Sequence, residues 1–218
     1  MRFTKILFTT ALFGASVFSF QSTAWAIEQS QMIQVEQLYK QKDFKAILAI
    51  IQPLAEQGDA SSQVLLGSMY EEGLGVKQDD FEAVKWYRKA VEQGDVIAQF
   101  YLGNMYHDGR GVKQDDFEAV KLFRQAAEQG HADAQSNLGS AYSAGYGVRQ
   151  DSTEAVKWFK KAAENGGANG QLKLGLAYLW GRGIQKDRTL AKEWLGKACD
   201  NGEQKGCEFY AKLNRGEL

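Results

Sequence analysis

The sequence has few of the residues that commonly carry chemistry or interrupt helices. Its 218 residues include one proline, two cysteines and two histidines. Two histidines are too few to favour a structural zinc site. The chain also lacks a Gly-x-Ser-x-Gly elbow, a His-Glu-x-x-His motif, a Walker loop and the Ser-x-x-Lys of penicillin-recognising serine enzymes. These absences argue against the common hydrolase and nucleotide-binding classes, and we expect no catalytic residue, no metal and no cofactor.

Charge of either sign is not in excess. Lys and Arg total 26 and Asp and Glu total 27, which gives a formal net charge of -1, and no segment concentrates the basic residues. This balance argues against a nucleic-acid partner. Hydrophobic residues make up 44% of the chain and charged residues 24%, which is typical of a globular protein with a packed core.

The first 26 residues have the features of a secretory signal peptide. Arg2 and Lys5 give a positive start, residues 6–20 are apolar and uncharged, and Ala24 and Ala26 form an Ala-x-Ala cleavage pattern. The apolar run of about 15 residues is shorter than a membrane span requires. We therefore expect cleavage after Ala26, a periplasmic or secreted protein and no membrane insertion afterwards. The alternative is an uncleaved anchor.

Most of the remaining chain repeats itself at a constant spacing. The stretch "GVKQDDFEAVK" occurs at residues 75–85 and again at residues 111–121, and the 36-residue register continues without insertion from Tyr70 to Leu213. A fixed period of this length is typical of a helical repeat protein. Because the duplicated stretch is shared between repeats, we interpret it as structural and expect function in the residues that the repeats do not share.

Each period is predicted to contain two helices. In the second helix, Ala119, Leu122 and Ala126 recur at three- and four-residue steps, which indicates one buried face. Asp115 stands where an N-cap belongs and Glu118 follows three residues later, an Asp version of the capping box. In the first helices, a glycine recurs in mid-helix and predicts a close helix crossing, at Gly67, Gly103, Gly139 and Gly175.

The residues "AQFYLGNMYHDGRGVKQDDFEAVKLFRQAAEQG" resemble the Sel1-like repeat, a relative of the tetratricopeptide repeat. The resemblance implies an all-α fold, a right-handed α/α superhelical solenoid of helix pairs. It places repeats at residues 60–95, 96–131, 132–167 and 168–203. Residues 27–59 are expected to form an N-terminal capping helix pair, and residues 204–218 a C-terminal capping helix and tail.

The two cysteines lie near the end of the fourth repeat. Cys199 replaces the Ala or Val found at the end of the other second helices, and Cys207 replaces the Gln of the next first helix. Neighbouring helix ends would meet there, and the exported compartment is oxidising, so we predict a disulfide. The spacing is similar to that of the cysteine-rich Sel1-like proteins of bacteria. Two free buried thiols are the alternative.

Equivalent positions of successive first helices form a predicted column of Glu71, His107, Ser143 and Leu179. The side chains of its first three members supply a carboxylate, an imidazole and a hydroxyl, the groups of a catalytic triad. Neighbouring helices lie about 8–10 Å apart, however, and nothing in the sequence supplies an oxyanion hole. We therefore favour a solvated polar face over catalysis.

Residues that differ between repeats are predicted to line the concave face formed by the first helices. Along the successive repeats, these residues are acidic at one end of the face, small and polar in the middle and apolar at the other end. At the apolar end, the first helix of the fourth repeat would present a large apolar surface. The C-terminal segment, a partner or a second copy of the chain in a homodimer would cover that surface. The predicted partner-binding residues are Phe100, His107, Ser143, Leu172, Leu176, Leu179 and Trp180.

The middle residues of the Gly-x-Gly loops form a predicted rim of Arg110, Tyr146 and Arg182, which would bind a partner by stacking or through carboxylates. The alternative is that these loop residues are merely solvated. The Sel1-like resemblance implies a protein or peptide partner, and hence an exported scaffold or adaptor in the bacterial envelope. It leaves two further hypotheses open: weak β-lactam binding or hydrolysis, as described for cysteine-rich relatives, and periplasmic immunity against a toxin.

Overall fold

A computed structural model describes residues 22–218, with side chains described from residue 31 onward. Residues 1–21 of the predicted signal peptide lie outside the described residues. Residues 22–26, which precede the predicted cleavage point, form the start of the first helix.

All regular secondary structure within residues 22–218 is helical. The all-α fold built from helix pairs is therefore confirmed. The eleven helices of this part of the chain are α1 Ser22–Gln41, α2 Phe44–Glu56, α3 Ala60–Glu72, α4 Asp80–Glu92, α5 Val96–Asp108, α6 Asp116–Glu128, α7 Ala132–Ala144, α8 Ser152–Glu164, α9 Ala168–Trp180, α10 Arg188–Asp200 and α11 Gln204–Asn214.

The second helices begin at the capping aspartates that the sequence indicated. The Asp115 carboxylate accepts hydrogen bonds from the N–H groups of Phe117 and Glu118 at 3.0 and 3.1 Å. Asp79, Asp151 and Asp187 cap their helices in the same way. The glutamates of the predicted capping boxes instead pair with a lysine one turn later, as Glu118 does with Lys121. Only the aspartate half of the box is therefore seen.

Three of the four predicted mid-helix glycines lie where two helices cross closely. A Cβ atom on Gly67 would lie 2.7 Å from the ring of Tyr87, and one on Gly139 would lie 2.6 Å from the ring of Phe159. Gly175 approaches Leu195 equally closely. A side chain at these positions would force the helix pair of the repeat apart.

The second glycine of each Gly-x-Gly loop packs on the start of an earlier second helix. Gly147 has φ +66, and a Cβ atom there would lie 2.1 Å from the carbonyl oxygen of Asp116. A Cβ atom on Gly111 would lie at the same distance from the carbonyl oxygen of Asp80. Backbone therefore touches backbone at these loops, and this contact positions the side chain between the two glycines.

The chain forms two compact units. Within the described residues, unit 1 comprises residues 22–105 together with residues 109–113, and unit 2 comprises residues 106–108 together with residues 114–218. Each unit has fully buried large side chains: Ile47, Ile51, Leu65, Leu66, Met69 and Tyr87 in unit 1, and Phe123, Leu138 and Leu174 in unit 2.

A disulfide joins the last two helices and confirms the predicted pairing. Cys199 near the end of α10 is bonded to Cys207 in α11, with their Cα atoms 4.5 Å apart. The bond ties the C-terminal half-repeat, α11, to the helix before it.

Candidate partner-binding surface

Three positions meet at two of the places where a Gly-x-Gly loop packs on the preceding repeat. They are a residue in the last turn of a first helix, the first residue of the following second helix and the middle residue of the next loop. We call each such group a junction. The sequence predicted a column across the first helices, whereas the structure groups two of the column residues, Glu71 and His107, with a helix start and a loop residue.

Junction 1, in unit 1, consists of Glu71, Asp80 and Arg110. Glu71 is only 3% exposed, and its carboxylate accepts hydrogen bonds from the Tyr87 hydroxyl at 2.8 Å and from the Arg110 guanidinium at 2.7 Å. Arg110 also donates to both carboxylate oxygens of Asp80, at 2.7 and 3.2 Å. A buried carboxylate requires such compensation. The rim residue Arg110 is thus engaged within the chain.

Junction 2, in unit 2, places different groups at the same three positions: His107, Asp116 and Tyr146. The His107 Nδ1 atom lies 2.7 Å from an Asp116 carboxylate oxygen, and its ring centroid lies 4.9 Å from that of Tyr146. Burial raises the pKa of the Tyr146 phenol, the Asp116 charge raises it further, and a hydrogen bond with Ser140 opposes both. The second rim residue is therefore half-buried against the column residue.

The remaining predicted residues of the middle repeats differ in exposure. Ser143 is exposed, and its backbone carbonyl accepts a hydrogen bond from the Gln150 side chain at 2.9 Å. Phe100 is half-buried and packs edge-on against Tyr101. His107 keeps 38% of its side chain exposed. The accessible part of the predicted face therefore lies at the C-terminal ends of the first helices.

The predicted apolar patch on α9 is largely covered by the chain itself. Leu172 and Leu179 are 7% and 3% exposed, so neither side chain is open to a partner. Leu172 packs with Leu195, and side chains of α11 lie against this cluster, among them Phe209. The C-terminal half-repeat covers the apolar end, which is one of the alternatives that the sequence left open.

Trp180 remains the open part of that patch. It is 45% exposed, with Phe209 edge-on at 5.7 Å and the guanidinium of Arg182 at 5.1 Å from its ring. Leu176 is half-buried. The third rim residue, like the other two, thus contacts a side chain at the end of a first helix.

Two exposed phenylalanines were not predicted from the sequence. Phe81 and Phe117 are 70% and 76% exposed. Both belong to the duplicated stretch that was interpreted as structural. Their position in the sequence would have identified them. Each lies two residues after a capping aspartate and outside the apolar stripe of the second helix. The third and fourth repeats carry Thr153 and Thr189 at the same position.

Within residues 22–218, no group of three or more His, Cys, Asp or Glu side chains is arranged to hold a metal ion. In the same part of the chain, no helix has both the length and the apolar composition needed to cross a membrane.

Comparison with known proteins gives a consistent family. The Sel1 repeat model matches residues 60–95, 96–131, 132–167 and 168–203, more than half of the chain. No curated protein matches the chain.

Solved structures include three similar chains. A Sel1 repeat protein from Oxalobacter formigenes is 34% identical, with 84% of this chain and 72% of that chain covered and a TM-score of 0.75. The protein c5321, a protective antigen of uropathogenic Escherichia coli with an SLR fold, is 40% identical with a TM-score of 0.72. The alignment with this antigen includes 78% of this chain and 36% of the antigen's length. Cysteine-rich protein B of Helicobacter pylori is 25% identical, with coverage of 62% and 96% and a TM-score of 0.49.

Proposed function

The chain belongs to the Sel1 repeat family, and on that premise we propose that it is an exported scaffold or adaptor of the bacterial envelope. Sel1 repeat proteins mediate protein–protein interactions and are generally non-enzymatic. The proposed partner is a protein or peptide that contacts the C-terminal ends of the first helices and the loops beside them. Export is supported by the charge, apolar run and cleavage pattern of the first 26 residues.

The observation that carries this proposal is the contrast between the two junctions. One geometry, set by the same loop glycine contact, presents a Glu71–Arg110 ion pair in unit 1 and a His107–Tyr146 ring contact in unit 2. A purely structural position would be expected to keep the residue that packs best. Repeat proteins with a constant framework and variable exposed positions use those positions to recognise partners.

The proposed test exchanges one junction for the other. A mature chain carrying His107→Glu and Tyr146→Arg has the residues of junction 1 at junction 2, and Phe123→Tyr in the same chain adds the hydroxyl that Tyr87 donates to Glu71, so its fold should be retained. Wild type and variant are used as baits in cross-linked envelope extract of the source organism, with circular dichroism as the folding control. We expect a stoichiometric partner that the wild type captures and the variant loses. Equal capture by both forms would show that junction 2 is not part of the binding surface.

Trp180 is the second exposed element of the proposed surface, and a second copy of the chain is one candidate occupant. Sedimentation of the wild type and of Trp180→Ala distinguishes this occupant. A dimer that the substitution dissociates identifies self-association, whereas a wild-type monomer excludes a second copy as the occupant of Trp180.

A further inference from the structure

We propose that Asn165 and Asn201 are sites of spontaneous deamidation, and that loss of their side-chain amides breaks hydrogen bonds that link successive repeats in unit 2. The reaction consumes only water and requires no enzyme. The inference goes beyond the proposed scaffold function and does not depend on the identity of a partner.

A side-chain amide bridge links the ends of successive second helices in unit 2. The Asn165 Nδ2 atom, just after α8, donates to the Gln135 side-chain oxygen at 3.0 Å, and the Gln135 Nε2 atom donates to the Ala127 carbonyl of α6 at 2.9 Å. Asn201, just after α10, donates to the Gln171 side-chain oxygen at 2.8 Å, and Gln171 in turn donates to a carbonyl near the end of α8. The asparagine is the donor that completes each bridge.

Both asparagines are followed by glycine, the residue that least hinders ring closure on the asparagine side chain. In this reaction the main-chain nitrogen of the glycine attacks the side-chain carbonyl carbon, ammonia leaves and a succinimide ring forms. Water then opens the ring at either carbonyl, which gives aspartate or isoaspartate. Asparagine is accordingly among the thermolabile residues.

The structure distinguishes these two asparagines from a third that also precedes glycine. Asn165 and Asn201 are exposed and lie just past helix ends, where the glycine that follows has open space around it. Asn169 instead lies in the first turn of α9, and the glycine after it, Gly170, is buried and packs closely on α8. Ring closure requires the local backbone to rotate, and exposed helix ends open at a lower free-energy cost than packed segments. Asn165 and Asn201 should therefore react before Asn169.

Deamidation breaks the bridge because a carboxylate cannot donate a hydrogen bond. After reaction at Asn165, the new carboxylate faces the Gln135 oxygen, and Gln135 cannot turn its amide group without giving up its bond to Ala127. The Gly130 carbonyl, which accepts from Asn165 at 3.3 Å, also loses its donor. The new negative charge lies at the C-terminal end of a helix, where the macrodipole disfavours an anion. The modified chain should therefore be less stable.

The first repeat has a version of this bridge that resists the reaction. Gln93 stands at the position of Asn165 and donates to the Gln63 side-chain oxygen at 2.9 Å. Its side chain is one methylene longer, so the corresponding attack would have to close a larger, six-membered ring, which is slower. Glutamine is therefore a matched replacement that keeps the donor and removes the reactivity.

The first test incubates the folded mature chain in warm, mildly alkaline buffer and follows each asparagine by peptide mass mapping. We expect Asn165 and Asn201 each to gain about 1 Da, at a rate about tenfold or more above that of Asn169. In the urea-unfolded chain the three asparagines should react at similar rates, because each precedes glycine. Similar rates at all three in the folded chain, or unreacted Asn165 and Asn201 once the unfolded control has reacted, would overturn the inference.

The second test measures the consequence for stability with two double variants, Asn165→Asp/Asn201→Asp and Asn165→Gln/Asn201→Gln, whose folding circular dichroism verifies. The aspartate variant should have the lower unfolding midpoint. On incubation, the wild-type midpoint should fall as the reacted fraction rises, whereas that of the glutamine variant should stay constant. Equal midpoints for the two variants would show that the bridges do not depend on the amide donor, and the proposed loss of the links between repeats would then be wrong.

Discussion

At the scale of single residues, each junction shows how one side chain determines the local chemistry. Arg110 and Tyr146 occupy the same loop position and point to equivalent neighbours, yet one forms ion pairs and the other a ring contact. The residues that face them, Glu71 and His107, differ correspondingly. A partner would therefore meet different chemistry at two places that share one backbone geometry.

We predict that Arg110→Ala destabilises the protein by about 3 kcal/mol, because it leaves the Glu71 carboxylate buried without its cation. Chemical unfolding measures the loss. Lys113→Ala, which changes an exposed cation in the same loop, is the control and should change stability little. The double variant Glu71→Gln/Arg110→Ala should recover part of the loss; failure to recover any would show that the ion pair is not the cause.

Tyr146 gives a prediction for alkaline pH. The pKa of its phenol is raised above the ordinary 10.0, chiefly by burial, so the folded state binds this proton more tightly than the unfolded state. The associated stability is complete below about pH 10 and is lost as pH rises through the raised pKa. Unfolding midpoints between neutral pH and pH of about 11 should fall more steeply for the wild type than for Tyr146→Phe. Parallel curves would contradict this.

At the scale of elements, the loops are held by close backbone contact rather than by side chains. Gly147 has a left-handed backbone, and a Cβ atom added to it would lie 2.1 Å from the carbonyl oxygen of Asp116. Gly166, at the end of α8, has φ +78 and open space around it. These two glycines separate the cost of backbone conformation from the cost of crowding.

We therefore predict that Gly166→Ala lowers stability by about 1 kcal/mol, from backbone strain alone, whereas Gly147→Ala costs about 2 kcal/mol more, from crowding. Thermal unfolding of the two variants beside the wild type measures both. Equal losses would mean that the loop can move away from the helix start without penalty.

The disulfide also acts at the scale of elements, because it joins helices α10 and α11. Reduction of Cys199–Cys207, which closes a sequence separation of 8, should lower stability by about 2–3 kcal/mol on the chain-entropy model. Hydrogen exchange should show that α11 loses protection first, because α11 is the half-repeat that the bond retains. A melting temperature unchanged by reductant would contradict the prediction.

Cys199→Ala/Cys207→Gln is a matched replacement for the bond. The other repeats have Gln at the position of Cys207, and there the side chain donates to a backbone carbonyl of the preceding helix, as Gln135 does to Ala127 at 2.9 Å. This variant should lose less stability than the reduced wild type, since a hydrogen bond takes the place of the disulfide.

At the scale of the whole molecule, the repeats act as controls for one another. A residue that is present in all repeats and touches its neighbours, such as the loop glycine, belongs to the framework. A residue that is present in two repeats, exposed, and replaced by threonine in the others does not. This comparison within one chain distinguishes the framework residues of the duplicated stretch from Phe81 and Phe117, which the same helix start does not require.

At the scale of the whole molecule, we predict that the chain is exported. If the signal peptide is cleaved after Ala26, mass spectrometry of the protein from a periplasmic or culture fraction should give a chain that begins at Ile27. Cleavage would remove residues 22–26 from α1. Lys5→Glu, which removes a positive charge from the start of the signal, should reduce export; unprocessed protein confined to the cytoplasm would contradict the proposal.

Much of the fold could be predicted from the sequence because its determinants are local. The helix pairs follow from the three- and four-residue steps of apolar residues, and the helix starts from aspartates such as Asp115. The close crossings follow from mid-helix glycines such as Gly139. Each of these signals acts within one or two turns or within one helix pair, so periodicity and spacing reveal it.

The candidate site was less predictable because its contacts join residues far apart in the chain. Glu71 and Arg110 are separated by 39 positions, and Leu172 is covered by the last helix. The sequence by itself determined the repeat, its helices, their caps and the cysteine pair. Only the tertiary structure decided which variable residues are buried, paired or open, because side-chain burial depends on how successive repeats pack, and no local pattern encodes that packing.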